Sequence, residues 1–368
     1  MQITFRWYGE KFDTIPLNFI KQIPGVKGIV WALHDVPAGE YWEMDKINQI
    51  KICFSKEGFN NEVVESVNVH EDIKLGLPSR SKYIENYKNT LRNLGKAGVK
   101  VVCYNFMPVF DWTRTDLYKA LSDGSTALFY EKAKIDSLNP YEFLDNLSKQ
   151  KGLLSMPGWE PERLSKIREL FKAYEGFTIE NLFENAKYFL KEIVPVAEEN
   201  GIKMAIHPDD PPWSIFGLPR LIISKENIQR YLNLVDSPAN GLTLCTGSLG
   251  SSDKNDIVDL IKTYHDKIFF AHIRNVKRFE NGDFIESSHR SCDGSLDIVE
   301  IVHTFHKLGF KYYVRPDHGR HIWNEESRPG LRPGYGLYDR ALGIMYILGI
   351  WDTLEKQNKK ITKGVLLC

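Results

Sequence analysis

The chain has 368 residues and is 42% hydrophobic, enough to bury a large core and longer than one domain usually runs unless the fold is a barrel. Lys plus Arg and Asp plus Glu are equal at 48 each. That balance excludes a global field that would gather nucleic acid or an anionic membrane, so an anionic ligand must be held by local arginines.

The five cysteines, Cys53, Cys103, Cys245, Cys292 and Cys368, are odd in number and widely spaced. They argue against a disulfide framework and for a reducing compartment. No basic segment leads into an apolar signal run, and no window reaches the length of a membrane span, so a cytoplasmic protein is expected.

Residues 3–8 predict a first strand. Residues 14–23, opened by a proline and apolar at Ile15, Leu17, Ile20 and Ile23, predict the helix after it. A second strand at 28–33 is continuously apolar, as suits a parallel strand covered on both faces, and brings Trp31, His34 and Asp35 to its end. A charged segment over 45–56 precedes a weaker third strand at 63–69. Residues 83–94 carry Ile84, Tyr87, Leu91 and Leu94 at helical spacing, and Ala97-Gly98 stops that helix before a fourth strand at 99–106.

Between 111 and 177 the pattern breaks into polar and aromatic pieces, among them Asp111-Trp112-Thr113-Arg114 and Ser155-Met156-Pro157-Gly158-Trp159. A long helical insertion is expected here. Because it follows a strand's carboxyl end, it would cover the active face of a barrel.

Regular alternation resumes with a helix at 179–199, kinked at Pro195, and a fifth strand at 202–207. A helix at 224–235 leads to strand six at 241–245, one at 253–264 to strand seven at 268–273, and one at 296–308 to strand eight at 312–315. A last helix spans 337–354. Eight strands alternating with helices in one unbroken series predict a single (β/α)8 TIM-barrel domain over 1–368. The lack of a GxGxxG after the first strand counts against a dinucleotide fold.

Strands five to eight run into His207, Cys245, His272 and Asp317. In a barrel the carboxyl ends of the strands share one face, so these four residues become neighbours. Two imidazoles, a thiolate and a carboxylate make a mixed site able to hold Zn²⁺, Fe²⁺ or Mn²⁺. Taken singly, each has an ordinary competing explanation: a core or surface histidine, or a cysteine buried as a small hydrophobe. Their shared place at four consecutive tips favours the metal site. His318, beside Asp317, is placed for acid/base work. Arg274, two residues past His272, could hold a substrate carboxylate. In the turn after His207, Asp209 or Asp210 could orient an imidazole, with Asp209 assigned to the substrate side, and ordinary turn chemistry is the competing account. Trp31 and His34 after strand two, and Asn105 after strand four, are candidates for contacting hydroxyl groups, against packing as the alternative for the aromatic residues.

Five blocks carry a resemblance to a known family: His-Pro-Asp-Asp-Pro-Pro at 207–212, Leu-Cys-Thr-Gly-Ser at 244–248, His-Ile-Arg-Asn at 272–275, Arg-Pro-Asp-His-Gly at 315–319 and Gly-Tyr-Gly-Leu-Tyr-Asp-Arg-Ala at 334–341. With them the chain resembles the mannonate dehydratases from Trp7 and Tyr8 to its last helix. The resemblance implies a cytosolic barrel of the xylose isomerase-like group with one Mn²⁺ or Fe²⁺ per chain. It also implies conversion of D-mannonate to 2-keto-3-deoxy-D-gluconate in hexuronate breakdown. A homo-oligomer, a dimer first, is a separate expectation.

That reaction removes a weakly acidic proton beside a carboxylate and expels hydroxide, so a base and an acid must flank the substrate. His318 and Tyr335, the latter in a Gly/Pro loop able to fold over the site, are assigned to this pair, with Arg315 and Arg274 stabilising the carboxylate as it gains enolate character. A sugar isomerase or epimerase on the same barrel is the alternative, although such enzymes usually hold metal with several carboxylates. A non-enzymatic sugar-acid binding protein would not need His318 next to a metal ligand.

Overall fold

Each strand of the barrel alternates between a residue pointing into the barrel and one pointing to the surrounding helices, and that alternation fixes which side chains reach the active face. The structure, a computed structural model, describes residues 1–137, 139, 142 and 161–365. Twelve strands occur among them: β1 (Gln2–Arg6), β2 (Val26–Trp31), β3 (Asn60–Glu65), β4 (Val101–Tyr104), β5 (Asp116–Ala120), β6 (Thr126–Tyr130), β7 (Lys203–Ile206), β8 (Asn240–Cys245), β9 (Ile268–His272), β10 (Val276–Arg278), β11 (Phe284–Glu286) and β12 (Tyr313–Arg315). Eight of these close a barrel in the order β1-β12-β9-β8-β7-β4-β3-β2, with β1 pairing in parallel to β12 on one side and to β2 on the other.

One cluster of buried side chains includes Val30, Val63, Val101, Cys103, Ala205, Phe270 and Tyr313. Val63 pairs with Val101, Cys103 with Ala205, and Phe270 with Tyr313. These residues fill the barrel. The neighbours of opposite parity join a larger cluster with the helices, each fully buried Val, Leu, Ile or Phe contributing roughly 1.5–3 kcal/mol.

The helix Ile179–Glu199 illustrates the outer layer. Thr178 and Asn181 form a reciprocal capping box at its start, and Leu182, Phe183, Ala186, Phe189, Leu190, Ile193 and Ala197 make one buried stripe at helical spacing. Asn200 and Gly201 end it, the glycine at φ +67°, a conformation a Cβ would disfavour.

Several boundaries differ from expectation. The third strand is Asn60–Glu65, ending before the predicted 63–69 does, and the charged segment ahead of it is the helix Met44–Glu57, whose buried face is only Ile47 and Phe54. The first helix is limited to Leu17–Ile20. The insertion carries helices Lys132–Ser137 and Pro161–Ala173, and in addition the hairpin β5–β6. Strand β6 pairs with β11 in a four-stranded antiparallel sheet of order β10-β11-β6-β5. The aromatic block at 155–159 lies outside the described residues.

Candidate active site

His207 follows β7, Cys245 ends β8, His272 ends β9, and Asp317 lies two residues past the end of β12. Strand register pairs His272 with Cys245 on one side and with Arg315 on the other. One ligand atom from each of His207, Cys245 and His272 lies within 4.8 Å of the other two, with His207 Nε2 and His272 Nδ1 3.1 Å apart. Asp317 adjoins this group. Its Oδ2 accepts from the Cys245 thiol at 3.3 Å, and its Oδ1 is 3.7 Å from His272 Nδ1. Asp317 sits at φ 56°, a left-handed position that aspartate tolerates better than most residues.

Ser248 directs its N–H at 3.4 Å and its hydroxyl at 3.0 Å to Cys245 Sγ. Two imidazoles, a thiol and a carboxylate form a donor set that fits a divalent transition ion. A second possible group, Glu65, Cys103 and His272, shares one of these imidazoles. Cys103, however, lies in the barrel interior, where burial and then Glu65 push its thiol well above its ordinary pKa. A ligating thiolate is harder to form there.

His318 is buried beside this group. Its Nε2 is 3.0 Å from the Tyr335 hydroxyl and its Nδ1 is 3.3 Å from Glu286 Oε1. Trp112 and Tyr335 flank the ring, at centroid distances of 5.3 and 4.9 Å. Burial pushes the Tyr335 phenol well above its ordinary value, so it stays protonated at neutral pH.

A buried charge network lies behind these groups. Arg274 gives Nε to Asp317 at 2.6 Å, Nη1 to both oxygens of Glu286 at 2.7 and 2.6 Å, and Nη2 to Asp210 at 2.7 Å. All three nitrogens are therefore engaged by protein carboxylates. Arg274, expected as a substrate clamp, thus stands as a counter-ion of the network. Arg114 pairs with both oxygens of Asp210, at 2.8 and 3.1 Å, and with Glu286 at 2.8 Å. Burial opposes ionisation of Glu286, yet Arg274, the His318 hydrogen bond and Arg114 hold its pKa down to about 2. Asp317 is likewise held well below the usual range against burial, by Arg315 and its neighbours.

Asp209, expected on the substrate side, faces its own loop. Its carboxylate accepts from Leu221 N–H at 3.0 Å, Ile222 N–H at 2.7 Å and Arg220 at 3.3 Å. It ties its own loop together, and Asp210 is the residue that joins the network. Trp31 is fully buried against Trp42 and Phe54, with its indole N–H donated to Asn61 O at 3.0 Å; it belongs to the layer between barrel and helices. Asn105 does line a cavity of about 730 Å³, along with Arg6, His34, Ser66, His70 and Arg332. The three clustered ligands and His318 lie outside that lining.

Arg315 donates Nε to His272 Nε2 at 2.9 Å and Nη2 to Glu65 at 3.0 Å and to Asp317 at 2.8 Å, while its buried Nη1 has no acceptor. Glu65, Glu286 and Arg114 escaped the sequence reading. A signal for Glu65 existed: it stands two residues past the interior Val63, as His207 stands past Ala205 and His272 past Phe270. No comparable periodicity marks Glu286 or Arg114.

The sequence model for D-mannonate dehydratase (UxuA) matches residues 1–361. The chain belongs to the D-mannonate dehydratase family. It is 69% identical over 356 residues to the mannonate dehydratase of Endomicrobium trichonymphae, covering 97% of each chain. The crystal structure of the mannonate dehydratase from Streptococcus suis serotype 2 superposes with a TM-score of 0.87 at 43% identity, over 97% of this chain and 96% of that one. A xylose isomerase domain protein from Planctomyces limnophilus, at 8% identity and a TM-score of 0.54 over 96% and 99% of the two chains, shares the fold alone. As a member of this family the chain is a hydro-lyase that dehydrates D-mannonate. Among the described residues no helix is long and apolar enough to cross a membrane.

Proposed function

We propose that His318 and Tyr335 are the acid/base pair of this dehydration, working beside one divalent ion, Mn²⁺ or Fe²⁺, held by His207, Cys245, His272 and Asp317. The reaction takes the C2 proton and the C3 hydroxide from D-mannonate, and the resulting enol gains a proton at C3 to give 2-keto-3-deoxy-D-gluconate. When bound, the ion supplies polarisation of a substrate oxygen and neutralisation of developing negative charge. His318 Nε2 accepts the C2 proton and Tyr335, kept protonated by burial, donates to the leaving hydroxide. Arg315, whose buried Nη1 has no acceptor, is the proposed donor to the substrate carboxylate. Asn105 and His34, which line the cavity of about 730 Å³, are the proposed contacts to the substrate hydroxyls.

The observation that carries this reading is the 3.0 Å contact between His318 and Tyr335 beside Asp317. The described residues of the segment 111–177 are proposed to cover the active face, which is supported by Trp112 against His318 and Arg114 against Glu286. Four free cysteines, Cys53, Cys103, Cys245 and Cys292, suit a cytoplasmic setting.

The test is turnover by protein loaded anaerobically with Mn²⁺ or Fe²⁺. One 2-keto-3-deoxy acid formed per D-mannonate consumed is expected. No product with either ion, alongside turnover of a free aldose, would favour a sugar isomerase.

A further inference from the structure

We propose that Glu286 is a positioning residue for the dehydration: its carboxylate fixes His318 as the Nδ1–H tautomer, so that the bare Nε2 faces Tyr335 and the substrate. This rests on the acid/base reading of His318 given above.

The argument begins with donors and acceptors. An ionised carboxylate can only accept, so the 3.3 Å contact between Glu286 Oε1 and His318 Nδ1 requires the proton on Nδ1. In the neutral imidazole the lone pair then lies on Nε2, 3.0 Å from the Tyr335 hydroxyl, which donates to it. A carboxylate that holds a histidine in one tautomer and orientation is a recurring device in general-base sites.

Glu286 is itself held firmly. It is 1% exposed. Oε1 accepts from Arg114 Nη2 at 2.8 Å and Arg274 Nη1 at 2.7 Å, and Oε2 accepts from Arg274 Nη1 at 2.6 Å. Two guanidiniums thus restrain the carboxylate and keep it ionised. The backbone is fixed too, because Glu286 pairs with Val276, and the preceding Ile285 and Phe284 pair with Phe129 and Tyr130 of the insertion hairpin. No barrel strand supplies this group. The accessory sheet therefore reaches into the reaction by setting the proton of a residue on β12's tip, and Arg114, also from the insertion, completes the hold.

The competing account is that Glu286 only neutralises Arg114 and Arg274. A double-mutant comparison separates the two, because residues acting as one unit are non-additive. With Mn²⁺-loaded protein, Glu286→Gln should lower kcat about 100-fold, within the usual range for general acid/base assistance, while KM moves less than about threefold and bound metal is unchanged. In a His318→Asn background the same change should lower the residual rate less than about threefold, since no imidazole remains to be oriented. If Glu286→Gln does not fold, Glu286→Asp, which keeps the charge but withdraws the oxygen from Nδ1, takes its place in the same comparison. Equal losses from the Glu286 variant with and without His318 would overturn the proposal, as would a wild-type kcat in that variant. A His318→Asn enzyme with near wild-type kcat would instead overturn the acid/base reading on which the proposal rests.

Discussion

His318 Nε2 and the Tyr335 hydroxyl meet at 3.0 Å although one residue sits just past β12 and the other in the following Gly/Pro loop. If they are the acid and base, His318→Asn and Tyr335→Phe should each lower kcat by about 10²- to 10⁴-fold. Neither side chain belongs to the ligand set, so bound metal should stay at the wild-type stoichiometry. Steady-state kinetics with elemental analysis of the same preparations checks both statements.

Cys245 caps a short helix and receives two donors from Ser248. Replacing it by serine exchanges a soft donor for a poor one, so Cys245→Ser should lose bound metal and activity together. A variant with full metal content and reduced turnover would remove Cys245 from the ligands.

Arg274 compensates three buried carboxylates, Asp210, Glu286 and Asp317. Removing one partner of such a group leaves uncompensated charge, at a cost of roughly 3–5 kcal/mol. Arg274→Met should therefore lower the urea midpoint markedly. Were Arg274 a substrate clamp instead, the variant would fold with unchanged stability and a raised KM.

His321 gives a pH dependence of known sign. Its Nε2 accepts the Gly334 N–H at 2.9 Å, and its Nδ1 lies 3.2 Å from the Thr126 hydroxyl, so the ring joins the insertion hairpin to the loop bearing Tyr335. Burial lowers its pKa from 6.5 to about 4, against a raising effect of Asp339. A depressed folded-state pKa contributes stability that is complete above 6.5 and is lost as pH falls from there through about 4. The full contribution is roughly 3 kcal/mol. Urea unfolding at pH 7 and pH 4.5 should show a smaller loss on acidification in His321→Gln than in the wild type.

Much of the site was legible because a barrel converts sequence into position. Once eight strands alternate with helices, His207, Cys245 and His272 must share a face, and the register confirms it. Parity places Trp31: Val30 points into the barrel, so the next residue points to the helices, where Trp42 and Phe54 meet it. The carboxylate partners of Arg274 were not legible, because Asp210 and Glu286 come from a turn and from a three-residue strand without hydrophobic periodicity. The β5–β6 hairpin went unseen for a related reason, since strands as mixed as Asp116–Ala120 are fixed by the partners they pair with and carry little alternation of their own.

The central claim is best tested by anomalous diffraction from crystals of the Mn²⁺-loaded protein grown with D-mannonate. The account predicts one manganese peak per chain, bound by His207, Cys245, His272 and Asp317, with the substrate's C2 within reach of His318 and its C3 hydroxyl beside Tyr335. A peak at Glu65 and Cys103 instead, or substrate bound with C2 turned away from both His318 and Tyr335, would contradict it.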